Sequence, residues 1–267
     1  MDAPHILWLI PAALDAGIAL LRVNMRGAGR SRALARKTYN AGAGADLIPF
    51  IDWAKQQFGK LPLFMMGHSL GGTAALNMAL KYPSAATRLA GLITIAAPID
   101  MMATAKKFHL PRNWLYVRYM LAGMKQIVAT TPHLEQRYVD AAMKAINIFN
   151  FDDQVTAPLA GYRNAAAYYT ASSVHQQLSH LSIPALVIQS TNDPWVPTEP
   201  CIAQPYGKNL PSIVITRGGG HVGFHDRNGS WYIRATIDWI AAQLKTYPPE
   251  GYKSEYNGKN GQAADTT

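Results

Sequence analysis

The sequence predicts an α/β protein in which helices cover a mainly parallel sheet. Short aliphatic runs alternate along the chain with stretches of helical composition, which is the pattern of parallel strands joined by helical connections. In addition, one serine stands between glycines directly after an apolar run, in Phe64–Thr73 (FMMGHSLGGT). With 267 residues and 49% hydrophobic content, the chain can bury a substantial core in one large domain or two small ones.

The predicted elements alternate in chain order. Strands are predicted at Ile18–Asn24, Pro62–Met66, Leu89–Ala97, Ala185–Gln189 and Ile213–Thr216. Helices are predicted at Asp46–Phe58, from Leu70 to the helix breaker Pro83, and at Trp231–Leu244 with Ser230 as its N-cap. Their apolar residues recur at helical spacing or give good helical composition.

The strand pattern stops between Asp100 and Leu181, where a stretch rich in Met, Tyr, Ala and Gln predicts several inserted helices. An insertion over the carboxyl edge of such a sheet is typical of a lid. The predicted organisation is a discontinuous core at 1–98 and 183–246, a helical cap at 99–182, and a disordered tail at 247–267. Two interpretations fit one stripe of the cap, the lid's own packing and, less favoured, the wall of an apolar channel. The stripe consists of Trp114, Tyr116, Tyr119, Met120 and Met124.

The serine motif predicts a nucleophile. Gly67, Ser69 and Gly71 fit G-x-S-x-G between a strand and a helix, the turn that holds a serine hydroxyl at the top of a sheet. Both flanking glycines are expected to be necessary, because side chains there would collide across the sharp turn. A chance Gly-Ser-Gly turn is the alternative, and the strand before and helix after make it the weaker one.

A serine hydroxyl needs a base, and the base needs an orienting acid. In strand–turn–helix serine hydrolases the acid follows the serine in the chain and the histidine comes last. Asp193 follows the predicted strand Ala185–Gln189, and His221 follows Ile213–Thr216 after three glycines. Because parallel strands end at one edge of the sheet, we expect Ser69, Asp193 and His221 to meet there.

Other acids and histidines are rivals for these roles. His225 lies four residues beyond His221 and beside an aspartate, whereas Asp100 follows an earlier strand, a position from which some hydrolases supply their acid. His68 precedes the nucleophile directly, and its side chain is expected to point away from the serine Oγ. The order serine, acid, histidine at three strand ends favours the first assignment over all of these.

Composition and charge exclude several classes of partner. The formal net charge is +9, but the basic residues are scattered and no nucleic-acid recognition motif accompanies them. A solvated basic face is the favoured explanation, and weak attraction to anionic lipid or substrate is the lesser alternative. No Walker lysine, H-E-x-x-H pair or cysteine pair is present, so neither a cofactor nor a metal is predicted. The single cysteine, Cys201, and a start without an export signal predict a cytoplasmic protein.

Six segments together resemble one group, the YheT-like branch of the α/β-hydrolase superfamily, which includes acylglycerol and phospholipid hydrolases. The segments are Asn24–Gly27 (NMRG), Gly67–Gly72 (GHSLGG), Phe151–Pro158 (FDDQVTAP), Tyr168–Ser173 (YYTASS), Asn192–Pro194 (NDP) and Gly219–Phe224 (GGHVGF). The resemblance implies Ser69 as nucleophile, Asp193 as acid and His221 as base. It also implies ester or acyl-lipid substrates, no cofactor, and a cytosolic or membrane-peripheral location.

The front of the chain departs from this group, whose members begin with three strands and a His-Gly loop that supplies one oxyanion donor. Here Met1–Ala16 resembles the helix that follows that loop, so the chain is expected to be truncated and to lack a central strand. Two functions are therefore predicted. The first is a serine hydrolase of short- to medium-chain or acylglycerol-like esters, with the Leu70 N–H as an oxyanion donor. The second is a catalytically impaired remnant that acts as a binding protein.

Overall fold

The computed structural model describes residues 4–59 and 61–246. Its main sheet has four strands in the order β1-β2-β3-β4, every neighbouring pair being parallel. A separate antiparallel ribbon pairs β5 with β6. The strands are β1 (Phe64–His68), β2 (Gly91–Ile95), β3 (Ala185–Ser190), β4 (Ser212–Thr216), β5 (His225–Asp226) and β6 (Gly229–Ser230). The predicted α/β class with a parallel sheet is confirmed.

Helices surround this sheet and fill the connection between β2 and β3. They are α1 (Pro4–Leu7), α2 (Leu9–Asp15), α3 (Ile48–Phe58), α4 (Leu70–Lys81), α5 (Pro83–Ala86), α6 (Met101–Phe108), α7 (Trp114–Ala129), α8 (Gln136–Lys144), α9 (Ile148–Phe151), α10 (Ala157–Ala160), α11 (Ala165–Ser172), α12 (Glu199–Ile202) and α13 (Trp231–Thr246). Short 3₁₀ turns lie at Gly29–Leu34, Gly44–Leu47, Pro111–Asn113 and Leu178–His180, and a π-helical turn at Asp152–Thr156.

The core lies on both faces of the sheet. Every residue of β2 and β3 is buried, as expected for central parallel strands covered on two sides. On one face α4 packs through residues such as Leu76 and Met78, and on the other α13 packs through Tyr232 and Ile233. Because the four strands run parallel, their carboxyl ends lie at one common edge of the sheet.

The strand predicted at Ile18–Asn24 is wrong. Residues 18–25 have no regular structure, and Leu20 and Leu21 are 38% and 45% exposed. An aliphatic run becomes a strand only when a neighbour satisfies its backbone groups and covers its side chains. Among the described residues β1 pairs with β2 alone, so this run has no strand beside it. Among the described residues, β1 therefore has an unpaired edge on the side away from β2.

The helical segment between β2 and β3, residues 101–180, has its own small core. The aromatic stripe predicted within it divides into two parts. Met120 and Met124 line a cavity beside Ser69, whereas Trp114, Tyr116 and Tyr119 are 51–79% exposed. Neither predicted environment, internal packing or a channel wall, is correct for these three aromatic residues. The tail predicted at 247–267 and the start of the predicted N-terminal helix at Met1 lie outside the described residues.

Candidate active site

Ser69 occupies the turn between β1 and α4 in a strained backbone conformation. Its φ is 49° and its ψ is −128°, a combination that residues with a Cβ rarely adopt and that is common at functional sites. The Ser69 N–H donates to the Ile95 carbonyl at 2.8 Å, which continues the pairing of β1 with β2 to its last residue. The serine is therefore fixed by the sheet, and the helix behind it begins at Leu70.

The glycines of this turn differ in what they do. A Cβ added at Gly67 would lie 2.6 Å from the Gly71 carbonyl oxygen, and one at Gly72 would lie 2.8 Å from the Ala97 Cβ. A Cβ at Gly71 would meet nothing within 4 Å. The predicted requirement for two flanking glycines holds for Gly67 but is wrong for Gly71. The second close approach is made by Gly72, where the helix packs against the end of β2.

Three side chains from separate strand ends form one hydrogen-bonded row. The His221 Nε2 lies 2.8 Å from the Ser69 Oγ, and the His221 Nδ1 lies 2.8 Å from the Asp193 Oδ2. The His221 side chain is 11% exposed and that of Asp193 is fully buried. The structure thus brings together the three residues named from the sequence, which follow β1, β3 and β4.

The Asp193 carboxylate is held by its own loop. Its Oδ1 accepts hydrogen bonds from the N–H groups of Trp195 at 2.8 Å and Val196 at 3.0 Å. These two bonds leave Oδ2 for the imidazole. A carboxylate fixed from behind in this way fixes in turn the orientation of the His221 ring and the nitrogen that carries its proton.

Two residues beside Asp193 complete the site and were not predicted from the sequence. The Asn192 Oδ1 accepts the Gly220 N–H at 2.8 Å and so ties the loop of His221 to that of Asp193. The Trp195 ring lies 4.5 Å from the His221 ring, centroid to centroid. Both lie within two residues of the predicted acid, but only the fold shows that Asn192 bonds to the loop of His221 and that Trp195 contacts the His221 ring.

The rival residues have other partners. The Asp100 side chain accepts the Ala103 N–H at 2.9 Å and caps α6, while His225 is exposed and packs on Trp8. The His68 ring packs against His5 and Tyr232, in agreement with the expectation that it points away from the serine Oγ. None of these three rivals is hydrogen-bonded to Ser69 or His221 in the part of the chain that the structure describes.

Burial keeps His68 neutral beside the row. Its surroundings lower the pKa of the imidazole to about 3, chiefly because burial disfavours the charged form, with smaller contributions from His5 and His221. At neutral pH the ring adds no positive charge next to His221. A proton arriving on His221 therefore meets little repulsion from this neighbour.

A cavity of about 190 Å³ opens beside Ser69 and Leu70. Its wall is mostly apolar and comes from the 38–39 loop, α6, α7, α9, the π-helical turn and α11. The lining residues include Tyr39, Met101, Phe108, Met120, Met124, Ile127, Val128, Ile148, Phe151, Asp152, Tyr168 and Tyr169. Across the described residues, no group of three or more His, Cys, Asp or Glu side chains is arranged to hold a metal ion.

Known proteins match this chain over most of its length. Residues 9–226 match the family described as serine aminopeptidase, S33. The chain belongs to this family of α/β-hydrolases. It is 30% identical over 232 residues to phospholipase ABHD3 of Mus musculus and 26% identical over 260 residues to YheT of Escherichia coli. These alignments cover 85% and 92% of the chain but only 56% and 74% of the relatives.

A solved structure supports the fold of this family member. The monoacylglycerol lipase of Paleococcus ferrophilus superposes with a TM-score of 0.54 at 19% identity and covers 88% of each chain. At that identity the likeness concerns the α/β-hydrolase fold alone. Among the described residues, no helix is both long and apolar enough to span a membrane.

Proposed function

We propose that this chain is a serine hydrolase of carboxylic esters, with Ser69 as nucleophile, His221 as general base and Asp193 as the orienting acid. The observation that carries the proposal is the continuous row from the Ser69 Oγ through both His221 nitrogens to the Asp193 carboxylate, with both distances 2.8 Å. Membership in an α/β-hydrolase family and relatives named phospholipase, esterase and monoacylglycerol lipase add support.

The reaction follows from these positions. The Ser69 Oγ attacks the ester carbonyl carbon while His221 takes its proton, and the carbonyl oxygen becomes an oxyanion that the Leu70 N–H stabilises. When the tetrahedral intermediate collapses, the protonated His221 returns the proton to the departing alcohol. Water, activated by His221, then releases the acid from the acyl-enzyme.

The apolar cavity favours neutral acyl esters over peptides. Met, Ile, Val and Phe side chains dominate its wall, and no Arg or Lys lines it. Burial of an acyl chain is therefore favourable at about 0.8 kcal/mol per CH₂ group. The family description names an aminopeptidase, so aminoacyl amides are the appropriate competing substrates.

Residues 99–182 are proposed as a helical cap, with core boundaries at 1–98 and 183–246. This segment supplies most of the cavity wall.

The same segment carries exposed apolar side chains, those of Leu110, Trp114, Leu115 and Tyr119. Arg118 lies over the Trp114 ring at 5.6 Å. We propose that these side chains touch anionic lipid surfaces weakly, from a cytoplasmic location. If equal amounts of the protein sedimented with vesicles of neutral and of anionic lipid, this preference for anionic surfaces would be contradicted.

Fluorophosphonate labelling followed by an ester panel tests the proposed function. We expect labelling of the wild-type chain at Ser69, hydrolysis of short- to medium-chain esters, and loss of both in Ser69→Ala and His221→Ala, because members of such a row act as a unit. A folded wild-type chain that is not labelled would favour the non-catalytic binding protein instead. Cleavage of aminoacyl amides by a chain inert to esters would overturn the substrate class.

A further inference from the structure

Asp152 places a buried carboxyl group on the wall of the cavity that also contains Ser69. The residue is 7% exposed, at the junction of α9 and the π-helical turn. The proposed hydrolysis uses Ser69, His221 and Asp193 and gives this acid no task. Burying a carboxyl group in apolar surroundings is costly unless partners compensate it, so its contacts need an explanation.

Two hydroxyl groups of residues that also line the cavity bond to the Asp152 carboxyl. The Tyr169 hydroxyl donates to the Asp152 Oδ2 at 2.7 Å, and the Thr156 side chain also bonds to the carboxyl. Burial raises the pKa of Asp152 to about 6, and the bonds to Thr156 and Tyr169, followed by the nearby His109, oppose that rise. A carboxylate has about four acceptor positions, so this group, which lines the cavity, retains acceptor capacity.

The neighbouring acid is a natural contrast. The Asp153 Oδ1 accepts the Ala165 N–H at 2.9 Å and its Oδ2 accepts the Gln154 amide at 2.8 Å. Asp153 therefore anchors the start of α11, does not line the cavity, and is only partly buried. The π-helical turn at Asp152–Thr156, a distortion that is frequent at functional sites, carries Asp152 on the cavity wall.

The cavity chemistry favours a neutral hydrogen-bond donor as the partner of Asp152. No Lys or Arg lines the wall, and a hydroxyl donating to a carboxylate forms a charge-assisted hydrogen bond. An ammonium group would have to lose its whole hydration shell among Met, Ile and Phe side chains, at a far greater cost than a hydroxyl. A plain methyl group would leave the acceptor capacity unused.

We propose that Asp152 is a specificity residue that binds a free hydroxyl group on the part of the ester substrate inside the cavity. This inference rests on the proposed esterase function. The preferred substrates carry the hydroxyl either on the acyl chain, as in a hydroxyacyl ester, or on the alcohol, as in a partial ester of glycerol. Tyr169 positions the carboxyl for this contact.

Binding to Ser69→Ala protein tests the proposal without turnover. Melting-temperature titrations would compare matched probes that differ in one hydroxyl, namely methyl octanoate with methyl 8-hydroxyoctanoate, and propyl octanoate with 3-hydroxypropyl octanoate. We expect one hydroxylated probe of a pair to bind about tenfold tighter, in line with a hydrogen bond to a charged group. The pair that shows the preference identifies whether the acyl chain or the alcohol carries the hydroxyl.

Variants then assign the preference to one side chain. Asp152→Leu in the Ser69→Ala background should abolish the preference while the methyl-ended probe binds as well or better, and the matched Asp153→Asn should keep it. Asp152→Asn, closer in shape, gives a second reading if Asp152→Leu fails to fold. Equal binding of both members of both pairs, a preference that survives at Asp152→Leu and Asp152→Asn, or stronger binding of methyl 8-aminooctanoate than of the hydroxyl probe would overturn the proposal. Failure of the esterase assignment would appear separately, as absent labelling of Ser69.

Discussion

At the residue scale, the proposed acid, Asp193, is distinguished from its rival, Asp100, by its contacts. The Asp193 carboxylate accepts two backbone N–H groups on one oxygen and the His221 ring on the other. Asp100 caps a helix instead and lies 3.9 Å from His175 at its closest. Two aspartates that both follow strands thus have different tasks.

This difference predicts the outcome of two matched substitutions. Asp193→Asn should lower kcat by about 10⁴, because an amide at this position holds the imidazole in the wrong tautomer. Asp100→Asn keeps a capping oxygen and removes only a charge at a helix N-terminus, so it should cost at most about 1 kcal/mol of stability with little change in kcat. Ester hydrolysis by both purified variants checks this, and a larger loss of kcat in Asp100→Asn would transfer the acid to the earlier strand.

A second residue-scale prediction concerns His68 and pH. The folded pKa of about 3 lies below the unfolded value of about 6.5. Between these values the unfolded chain binds a proton that the folded chain refuses, so the free energy of unfolding falls as pH drops from 6.5 toward 3. The limiting slope from this group is about 1.4 kcal/mol per pH unit.

Replacing the ring tests that slope. His68→Phe keeps an aromatic side chain against His5 and Tyr232 but cannot be protonated, so the decline in urea-unfolding free energy from pH 6.5 to 4 should become shallower. His180→Gln, at an exposed histidine, is the control and should keep the wild-type slope. If the unfolding free energy fell equally steeply with pH in wild type and in His68→Phe, the pKa of His68 would not be lowered by folding.

Site residues that follow a strand end could be predicted from the sequence. Site residues that act through contacts with distant parts of the chain could not. Ser69, Asp193 and His221 follow three strand ends, so period and turn residues were enough to name them. Asn192 and Trp195 act through bonds and ring contacts with residues more than 20 positions away. The local sequence pattern carries no information on such contacts. The position of Asp152 on the cavity wall could not be predicted for the same reason.

At the scale of elements, the turn from β1 to α4 shows that a motif does not assign equal weight to its glycines. Gly72→Ala would place a Cβ 2.8 Å from the Ala97 Cβ, and overpacking of this kind costs about 1–3 kcal/mol. Gly71→Ala meets open space within a helix and should be neutral or stabilise by up to about 1 kcal/mol. Chemical denaturation of both variants measures the difference. Equal destabilisation would show that Gly71 is as constrained as Gly72.

The elements that were predicted wrongly share one physical cause. Ile18–Asn24 has the composition of a strand, but composition predicts a strand only where a neighbour exists to pair with it. The exposed aromatic residues of α7 have helical spacing, yet the packing of the neighbouring helices decides which side of α7 is covered. The strands β1 to β4 were predictable because each is an aliphatic run flanked by turns and has a strand neighbour, with β2 and β3 fully buried and β1 and β4 mostly half-buried.

For the whole molecule, the arrangement of the sheet puts the proposed nucleophile, Ser69, at the end of an edge strand, β1. Only β2 pairs with β1 among the described residues, and an unpaired edge is a template for association with another chain. The Ser69 N–H donates to the Ile95 carbonyl, and the Leu63 carbonyl accepts the Ala90 N–H. Both groups therefore face β2. Since backbone groups alternate along a strand, the N–H groups of Met65 and Gly67 also face β2, and those of Phe64 and Met66 face the open edge.

The 267-residue chain is therefore expected to self-associate through this edge and to hydrolyse esters slowly, because among the described residues a single neighbouring strand holds β1, and with it Ser69, in place against His221. Hydrogen exchange across a dilution series tests both points with an internal control. The Met65 amide should be protected at every concentration, whereas the Met66 amide should become protected only as the chain associates, in step with the mass measured by light scattering. A monomer in which Met66 is as well protected as Met65 would mean that another segment of the chain covers the edge. A monomer with an unprotected Met66 and rapid ester hydrolysis would mean that β2 and the flanking helices alone make the nucleophile rigid enough.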